Sequence, residues 1–193
     1  HHVGGAKFLS IRVGEIEYEL PSGSFFQTNY QQAAVLLDQV ASAVGPTASD
    51  TLLDLYCGVG FFALPLAKGC KSVFGFEFDR VSVKAAESAA AKNGIANARF
   101  ASGDVRGQLS RLSAGDFSII VLDPPRAGCH PAVLKELGRL APKKIVYVSC
   151  APDTLARDLG ILSECGYDAT RLRPIDMFPQ THHMEVVSTL VRR

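Results

Sequence analysis

Residues 144–154 read Lys-Ile-Val-Tyr-Val-Ser-Cys-Ala-Pro-Asp-Thr, an apolar and β-branched run that stops at a cysteine and is followed by Pro and Asp. Such a run is typical of a strand buried on both faces, and a helical pattern follows it as far as residue 165. The strand delivers the thiol of Cys150 to the carboxyl edge of a sheet, where open α/β sheets bind their ligands. Two interpretations remain at this point: Cys150 is a nucleophile, or it packs as a small hydrophobic side chain.

The same succession of strand, turn and helix recurs from Thr51 onward. The predicted parallel strands are Thr51–Tyr56, Ser72–Glu77, Ala98–Ala101, Phe117–Leu122 and Lys144–Ser149, and the predicted helices lie near residues 60–68, 80–93, 104–112, 131–140 and 153–165. This alternation indicates an α/β fold with a doubly wound, mainly parallel sheet. The runs Tyr167–Ile175 and Met184–Arg192 have no helix between them. We therefore expect an antiparallel C-terminal edge pair that completes seven strands, with the last strand outermost.

The segment before Thr51 predicts a small N-terminal addition to that sheet. Residues 7–13 and 16–20 alternate in polarity around a Gly-Glu turn, which is typical of a β-hairpin. We expect residues 1–25 to form this hairpin extension and residues 26–193 to form the main domain.

A helix is predicted from Ala33 to Val44, after a capping pattern. Thr28, followed three positions later by Gln31, is the predicted N-cap. Gln27 then lies on a loop at the entrance of this helix.

Size and composition limit the classes of protein to consider. With 193 residues, 47% of them hydrophobic, the chain can form one domain with a large core. The 20 basic and 19 acidic residues nearly cancel, so strong RNA binding would need a local basic patch or a further domain. Five cysteines without zinc-ligand spacing favour a reduced, cytoplasmic compartment, and the sequence has neither a signal peptide nor a membrane-spanning run. The chain begins at His1 without a Met, and we expect its natural N-terminus to lie upstream.

The first predicted parallel strand runs into a glycine-containing loop, Asp54-Leu-Tyr-Cys-Gly-Val-Gly60. Gly58 and Gly60 allow a tight turn and a close approach to a ligand at a helix entrance. The third glycine of the dinucleotide fingerprint is absent, since Phe-Phe-Ala63 follows Gly60, and this favours a nucleotide-like cofactor other than NAD. Glu77, at the tip of the second strand, is placed to bind a ribose diol, although a solvated loop acid would have the same position.

Two further acids follow the third and fourth strands. Asp104 either binds the edge of an adenine or caps the next helix, and the sequence does not separate these interpretations. Asp123 precedes Pro-Pro-Arg, and the two prolines fix a rigid loop whose Pro124 offers a flat apolar wall to a planar base. Arg126 either holds a phosphate or a uracil carbonyl, or forms a structural ion pair.

These motifs together resemble a known family. The chain carries Phe-Phe-Gln27-Thr-Asn, Asp54-Leu-Tyr-Cys-Gly-Val-Gly, Glu77, Asp123-Pro-Pro-Arg-Ala-Gly, Val-Ser-Cys150-x-Pro-x-Thr154 with Arg157-Asp158, and Asp176-Met-Phe-Pro-Gln-Thr-His-His-Met-Glu185. Over about residues 20–193 this order resembles the S-adenosylmethionine-dependent RNA (uracil-5)-methyltransferases. The resemblance implies a class I, Rossmann-like methyltransferase fold and S-adenosylmethionine as cofactor. It implies as substrate a uridine of transfer RNA or large-subunit ribosomal RNA, which becomes 5-methyluridine.

The resemblance also implies roles for individual residues: Cys150 is the nucleophile and Glu185 the base. It also implies that Gln27, Tyr56, Glu77 and Asp123 contact the cofactor, and from their positions we expect Gly58, Gly60 and Asp104 to contact it as well. The expected contacts with the RNA base are Pro124, Arg126 and His183. No metal is required.

The chemistry explains why a thiol and a carboxylate are needed. Uracil C5 is a poor nucleophile, and a thiolate that adds to C6 turns the ring into an enolate whose C5 can attack a sulfonium methyl group. A carboxylate must then remove the proton that remains on C5 before the thiol leaves. His182 and His183 adjoin Glu185 as rival bases, but two adjacent histidines of an extended segment cannot both point at one site. Glu185 is therefore the preferred base.

The chain departs from the family pattern in two ways. Many relatives carry Asn where this chain has Phe61, so we expect no polar side-chain contact with the cofactor from that position. Relatives commonly carry an N-terminal RNA-binding β-barrel domain, which has no counterpart in this sequence. We therefore expect such a domain upstream, and we expect a monomer.

Two alternatives stay open. The Asp-Pro-Pro motif also resembles that of methyltransferases acting on amino groups of adenine or guanine, which need no thiol. The alternative without catalysis is a cofactor-binding domain that serves as an RNA-binding module.

Overall fold

The computed structural model describes residues 8–181 and 184–193. Its strands are β1 (Phe8–Val13), β2 (Ile16–Pro21), β3 (Thr51–Leu55), β4 (Ser72–Glu77), β5 (Ala98–Ser102), β6 (Ile119–Leu122), β7 (Lys144–Ser149), β8 (Tyr167–Ile175) and β9 (Glu185–Arg192). Its helices are α1 (Tyr30–Val44), α2 (Ala63–Ala67), α3 (Arg80–Lys92), α4 (Val105–Leu109), α5 (Pro131–Leu140) and α6 (Pro152–Glu164). The predicted alternation is confirmed, with α2 and α4 shorter than expected. Within the described ranges, no helix combines the length and apolar character needed to cross a membrane.

Seven strands form one sheet in the order β5-β4-β3-β6-β7-β9-β8, and β1 and β2 form a separate antiparallel hairpin. Strands β3 to β7 are parallel, whereas β9 is antiparallel to both β7 and β8. This confirms the doubly wound sheet with an antiparallel C-terminal pair. The prediction that the last strand is outermost was wrong, because β9 lies inside and β8 forms the edge. Six consecutive residues of β9 are buried and seven of β8 are exposed, so only β9 has the surface that an interior strand buries on both faces.

Helices cover both faces of the sheet and divide the core into two clusters. On one face α1, α2 and α3 pack together with the hairpin, and on the other α4, α5 and α6 pack together. Tyr18 of the hairpin is fully buried, and its hydroxyl donates to the carbonyl of Phe61 over 3.3 Å. The ring of Phe26 packs between those of Tyr18 and Phe61, with centroid distances of 5.4 and 5.6 Å. The segment that leads into α1 is therefore held against the loop after β3.

Capping side chains fix where the helices begin. Asn29 caps α1, and the prediction of Thr28 was wrong. The side-chain oxygen of Asn29 accepts from the backbone N–H of Gln32 over 3.2 Å, and its amide nitrogen donates to the carbonyl of Met177 over 3.0 Å. An amide carries a donor and an acceptor on separate atoms, which a hydroxyl does not. Asp79 caps α3, where its carboxylate accepts from the backbone N–H groups of Val81 and Ser82.

Candidate active site

The carboxyl ends of the parallel strands bring several of the predicted site residues to one edge of the sheet. Leu55, at the end of β3, pairs with Phe76 of β4 and with Leu122 of β6. The next residues along these three strands are Tyr56, Glu77 and Asp123. The Asp123 N–H still donates to the carbonyl of Leu55, over 3.3 Å. Three side chains expected to bind the cofactor therefore begin at one level.

Cys150 and Glu185 meet at the same edge from antiparallel strands. The last pair of the ladder between β7 and β9 joins Ser149 to Val186. One step beyond it in the same register, Cys150 lies opposite Glu185, the first residue of β9. Cys150 is half-buried with a free thiol, and Glu185 is only 8% exposed. The predicted nucleophile thus lies beside the predicted base.

The charged groups around Cys150 act on one another. Burial raises the pKa of Glu185 to about 7, and the guanidinium of Arg126 opposes this rise. Burial, and then the charge of Glu185, raise the pKa of the half-buried Asp123 to about 8. Burial raises the pKa of Cys150 as well; Glu185 and Asp123 add to the rise and Arg126 opposes it. Arg126 is therefore the cation that favours the thiolate at this edge.

One oxygen of Glu185 is positioned to take a proton. Oε2 is buried and has no hydrogen-bond partner among the described residues. A carboxylate whose pKa lies near 7 is matched to proton transfer at neutral pH. Glu185 therefore has the acidity expected of a general base.

The loop after β3 is shaped by two glycines and an acid. Gly58 has φ +53° and Gly60 has φ +83°, a backbone region that side chains disfavour. The N–H of Gly58 donates to Glu77 Oε2 over 3.0 Å, and the N–H of Asp79 donates to Oε1 over 2.9 Å. Each oxygen of a carboxylate accepts more than one donor, so Glu77 can hold the loop and still accept bonds from a diol.

Asp54 is a residue of this edge that the sequence analysis missed. Its carboxyl group is fully buried below the glycine loop, where Oδ2 accepts from the N–H of Ala63, the first residue of α2, over 3.0 Å. Oδ1 has no hydrogen-bond partner within residues 8–181 and 184–193. Burial, Asp123 and Glu77 hold the pKa of Asp54 well above its usual value. The available signal was an acid inside an otherwise apolar strand, directly before the glycine loop.

Tyr56 and Asp104, which were also expected to contact the cofactor, have partners of their own, and Gln27 lies beside a cavity. Tyr56 has φ +62°, and its hydroxyl interacts with the thiol of Cys129. Asp104 is the N-cap of α4 and accepts from a backbone N–H three residues later over 2.9 Å, which agrees with its helix-capping interpretation. Gln27 borders a cavity of about 420 Å³ between the hairpin and the segment that leads into α1.

The loop after β6 presents its residues in different environments. Pro124 is buried, whereas Pro125 and Arg126 are exposed. Thr154 of α6 holds this loop, since its hydroxyl donates to the carbonyl of Arg126 over 3.1 Å. His183, which was expected to contact the RNA base, lies outside the described residues.

Comparison with known proteins gives a consistent assignment. The family model described as tRNA (Uracil-5-)-methyltransferase matches residues 6–193. A protein of Chlorobaculum tepidum, named as an uncharacterized RNA methyltransferase, is 42% identical over 98% of this chain and 40% of its own length. A protein of the same description from Thermotoga maritima is 42% identical over 91% of this chain and 40% of its own length. The chain thus spans about two fifths of the length of these relatives.

A solved structure agrees with the sequence relatives. The tRNA (uracil-54, C5)-methyltransferase of Pyrococcus abyssi, in complex with S-adenosyl-L-homocysteine, is 36% identical to this chain with a TM-score of 0.84. The match covers 97% of this chain and 45% of that one. TYW2 of M. jannaschii, in complex with AdoMet, is 14% identical with a TM-score of 0.71, which shows a shared fold.

Proposed function

Because the chain belongs to the tRNA (uracil-5-)-methyltransferase family, we propose that it transfers a methyl group from S-adenosylmethionine to C5 of a uridine in structured RNA. The observation that carries the proposal is the placement of Cys150 opposite Glu185, one step past the β7–β9 ladder. A thiol and a carboxylate at one point are the two groups that this chemistry needs. Asp123 and Arg126 act electrostatically on the same thiol, which supports a single site.

The residues at the strand edge fit an adenosyl cofactor. A Cβ added at Gly58 would meet no atom within 4 Å, so the loop face is open to a ligand. Glu77 keeps acceptor capacity beside this loop, and Asp54 Oδ1 is a buried acceptor below it. The proposed cofactor contacts are Gln27, Tyr56, Gly58, Gly60, Glu77, Asp104 and Asp123. When bound, S-adenosylmethionine supplies the methyl group that the activated C5 takes up.

Two residues of the chain carry the proposed steps on the uracil. The target base leaves its stack to reach the site. The thiolate of Cys150 adds to C6, so an S–C6 bond forms and the electron pair of the C5–C6 double bond moves into the ring enolate. Glu185 later takes the proton from C5, and the electrons of that C–H bond restore the double bond as the S–C6 bond breaks. Cys150 returns as a thiolate and Glu185 carries the proton.

Other residues of the loop after β6 position the base in this scheme. Pro124 forms an apolar wall, and Arg126 stabilises the Cys150 thiolate and the developing enolate oxygen. His183 is proposed as a further contact with the base.

The wider setting is part of the proposal. We infer a hairpin extension over residues 1–25, of which residues 1–7 lie outside the described part of the chain, a methyltransferase domain over residues 26–193 and an upstream RNA-binding domain. Support comes from the relatives, which are more than twice as long as this chain. We further infer a monomer that acts on transfer or ribosomal RNA in the cytoplasm.

RNA that contains 5-fluorouridine tests the function. Fluorine at C5 cannot be removed as a proton, so the adduct with Cys150 should be trapped in the presence of S-adenosylmethionine and migrate as a protein–RNA band in denaturing gels. Cys165→Ser should give the same band, and Cys150→Ala should give none. Methylated adenine or guanine without a band would favour the amino-group methyltransferase, and cofactor binding without transfer to any RNA would favour the binding module.

A further inference from the structure

A buried acid on α6 joins four elements of the site. Asp158 is fully buried, and its Oδ2 accepts from the backbone N–H of Cys129 over 2.7 Å and from the hydroxyl of Tyr147 over 2.6 Å. Its Oδ1 accepts from Arg157 Nε over 2.8 Å, and Arg157 Nη2 lies 2.7 Å from the same oxygen as an ion pair. The thiol of Cys129 in turn interacts with the hydroxyl of Tyr56, at the end of β3. Asp158 therefore links α6 with β7, with the loop after β6 and with the start of the glycine loop after β3.

The neighbours of Asp158 fix the arginine loop, by which we mean residues 126–129. Arg157 Nη2 donates to the carbonyls of Ala127 over 3.0 Å and Cys129 over 3.3 Å. Thr154 donates to the carbonyl of Arg126 over 3.1 Å. Every residue of this loop except Gly128 thus has a backbone group bonded to α6.

Gly128 shows how closely the loop and α6 approach. Its φ is +74°, and an added Cβ would lie 2.5 Å from Arg157 Nη2 and 2.7 Å from Asp158 Oδ2. Such distances leave no room for any side chain, so the backbone of the loop lies directly against the ion pair.

We propose that Asp158 is a positioning residue that holds the arginine loop in the conformation that keeps the guanidinium of Arg126 beside Cys150 and Glu185. The inference rests on the proposed function, because it gives Arg126 a catalytic target only if Cys150 is the nucleophile. Because α6 begins at Pro152, two residues after Cys150, the helix that follows the nucleophile also fixes the cation that acts on it.

The chemistry of the donors requires a carboxylate at this position. The three hydrogen-bonding groups aimed at Asp158 are all donors, two N–H groups and one O–H group, and the guanidinium of Arg157 adds a positive charge. An asparagine supplies one acceptor oxygen and turns an NH₂ group toward the donors on the other side. Asp158→Asn should therefore release either the loop or Arg157 while the shape of the side chain is kept.

Alkylation of Cys150 measures the position of Arg126 without RNA or cofactor. The background variant Cys165→Ser removes the other half-buried thiol, and Cys57, Cys70 and Cys129 are buried. The thiolate is the reactive form, and Cys150 is flanked by Glu185, Asp123 and Arg126. Iodoacetamide labelling across a pH series, read by mass spectrometry, gives the midpoint of its ionisation. Asp158→Asn should raise this midpoint and slow labelling at neutral pH by about threefold, which corresponds to half a pKa unit.

Four further single substitutions and one double variant decide between positioning and simple stability. Arg126→Ala should raise the midpoint as well. Combining it with Asp158→Asn should add nothing, because each change takes the positive charge of Arg126 away from the Cys150 thiol. Thr154→Val, which removes a bond to the Arg126 carbonyl, should move the midpoint in the same direction, and Thr154→Ser should restore it. Asp153→Asn, an exposed acid on the same helix, is the control and should leave the midpoint unchanged.

The proposal is overturned by a midpoint that stays at the background value in both Asp158→Asn and Thr154→Val, or by shifts that add fully to that of Arg126→Ala. If the 5-fluorouridine trap fails while these shifts appear, the proposed function falls and the positioning role of Asp158 stands. If the trap succeeds without the shifts, only the positioning role falls.

Discussion

Cys150 and Glu185 lie opposite each other at the first position beyond the paired residues of β7 and β9. The two strands run in opposite directions, so β7 ends at the edge of the sheet where β9 begins. Neither residue belongs to the β7–β9 ladder, although Glu185 pairs with Ile175 of β8, and the last β7–β9 pair, Ser149 with Val186, holds their backbones side by side. The reacting thiol and the proposed base are therefore positioned by rigid elements, although they are 35 residues apart in the sequence.

The first prediction concerns the nucleophile. Cys150→Ser should lower methyl transfer to RNA by at least about a thousandfold, because a serine hydroxyl is almost entirely protonated at neutral pH and adds poorly to C6. Affinity for S-adenosylhomocysteine, measured by calorimetry, should stay within about twofold, since the glycine loop follows β3 whereas Cys150 follows β7. Cys165→Ser is the matched control and should keep full activity. An active serine variant would sink the assignment of Cys150.

The second prediction concerns the base. Glu185→Gln keeps the shape of the side chain but cannot take the C5 proton, so the methylated adduct with Cys150 should accumulate on unmodified RNA. Denaturing gels should show a protein–RNA band that the unaltered protein does not accumulate. The exposed Glu164→Gln serves as control. Free 5-methyluridine released at the normal rate would assign proton removal to another group.

The third prediction separates two glycines of the cofactor loop. At Gly60, with φ +83°, an added Cβ would lie 3.0 Å from Leu64 Cγ and 3.3 Å from Phe100 Cζ, whereas at Gly58 it would meet nothing within 4 Å. Gly60→Ala should therefore lower the free energy of unfolding by about 2–4 kcal/mol, and Gly58→Ala by only about 1 kcal/mol. Gly58→Ala should instead weaken binding of S-adenosylhomocysteine by about tenfold or more, because the new methyl group enters the open face. Urea titration and calorimetry measure the two effects, and equal losses of stability would contradict the distinction.

The positions of the parallel strands along the chain were within reach of the sequence because each strand is a short apolar run between turn residues. The position of β9 was not, since Ser188 and Thr189 interrupt its apolar pattern although both are buried. Burial of these polar residues depends on β8, which covers the strand from the outside. The pairing of β9 with β7, which places β9 inside the sheet, is set by the fold and leaves no local mark.

The residues of the site likewise divide into those that the sequence could place and those that it could not. Cys150, Glu77 and Asp123 could be placed because they end a strand or directly follow one, and the end of a strand is a local feature. Asp158 could not be given its role, since its partners Cys129 and Tyr147 lie 29 and 11 residues away. A contact of this kind depends on how α6 packs on the loop after β6, which the periodicity of α6 does not specify.

The fourth prediction follows from the burial of Glu185. Its pKa is raised from 4.5 to about 7 in the folded protein, so as the pH rises through this interval the unfolded chain loses its proton first. The free energy of unfolding therefore falls between about pH 4.5 and 7, and the penalty is complete above pH 7. For a carboxyl group that is 8% exposed, the loss is about 2–3 kcal/mol.

Glu185→Gln should remove this penalty. The variant should be more stable than the unaltered protein at pH 8, by about 2–3 kcal/mol, and nearly equal to it at pH 4.5, as measured by urea unfolding at both pH values. Removal of the negative charge also relieves Asp123, whose raised pKa has Glu185 among its causes, and this adds to the gain at high pH. Glu164→Gln, at an exposed position, should show no such dependence. A Glu185→Gln protein that loses stability at pH 8 would mean that the ionised carboxylate has a stabilising partner.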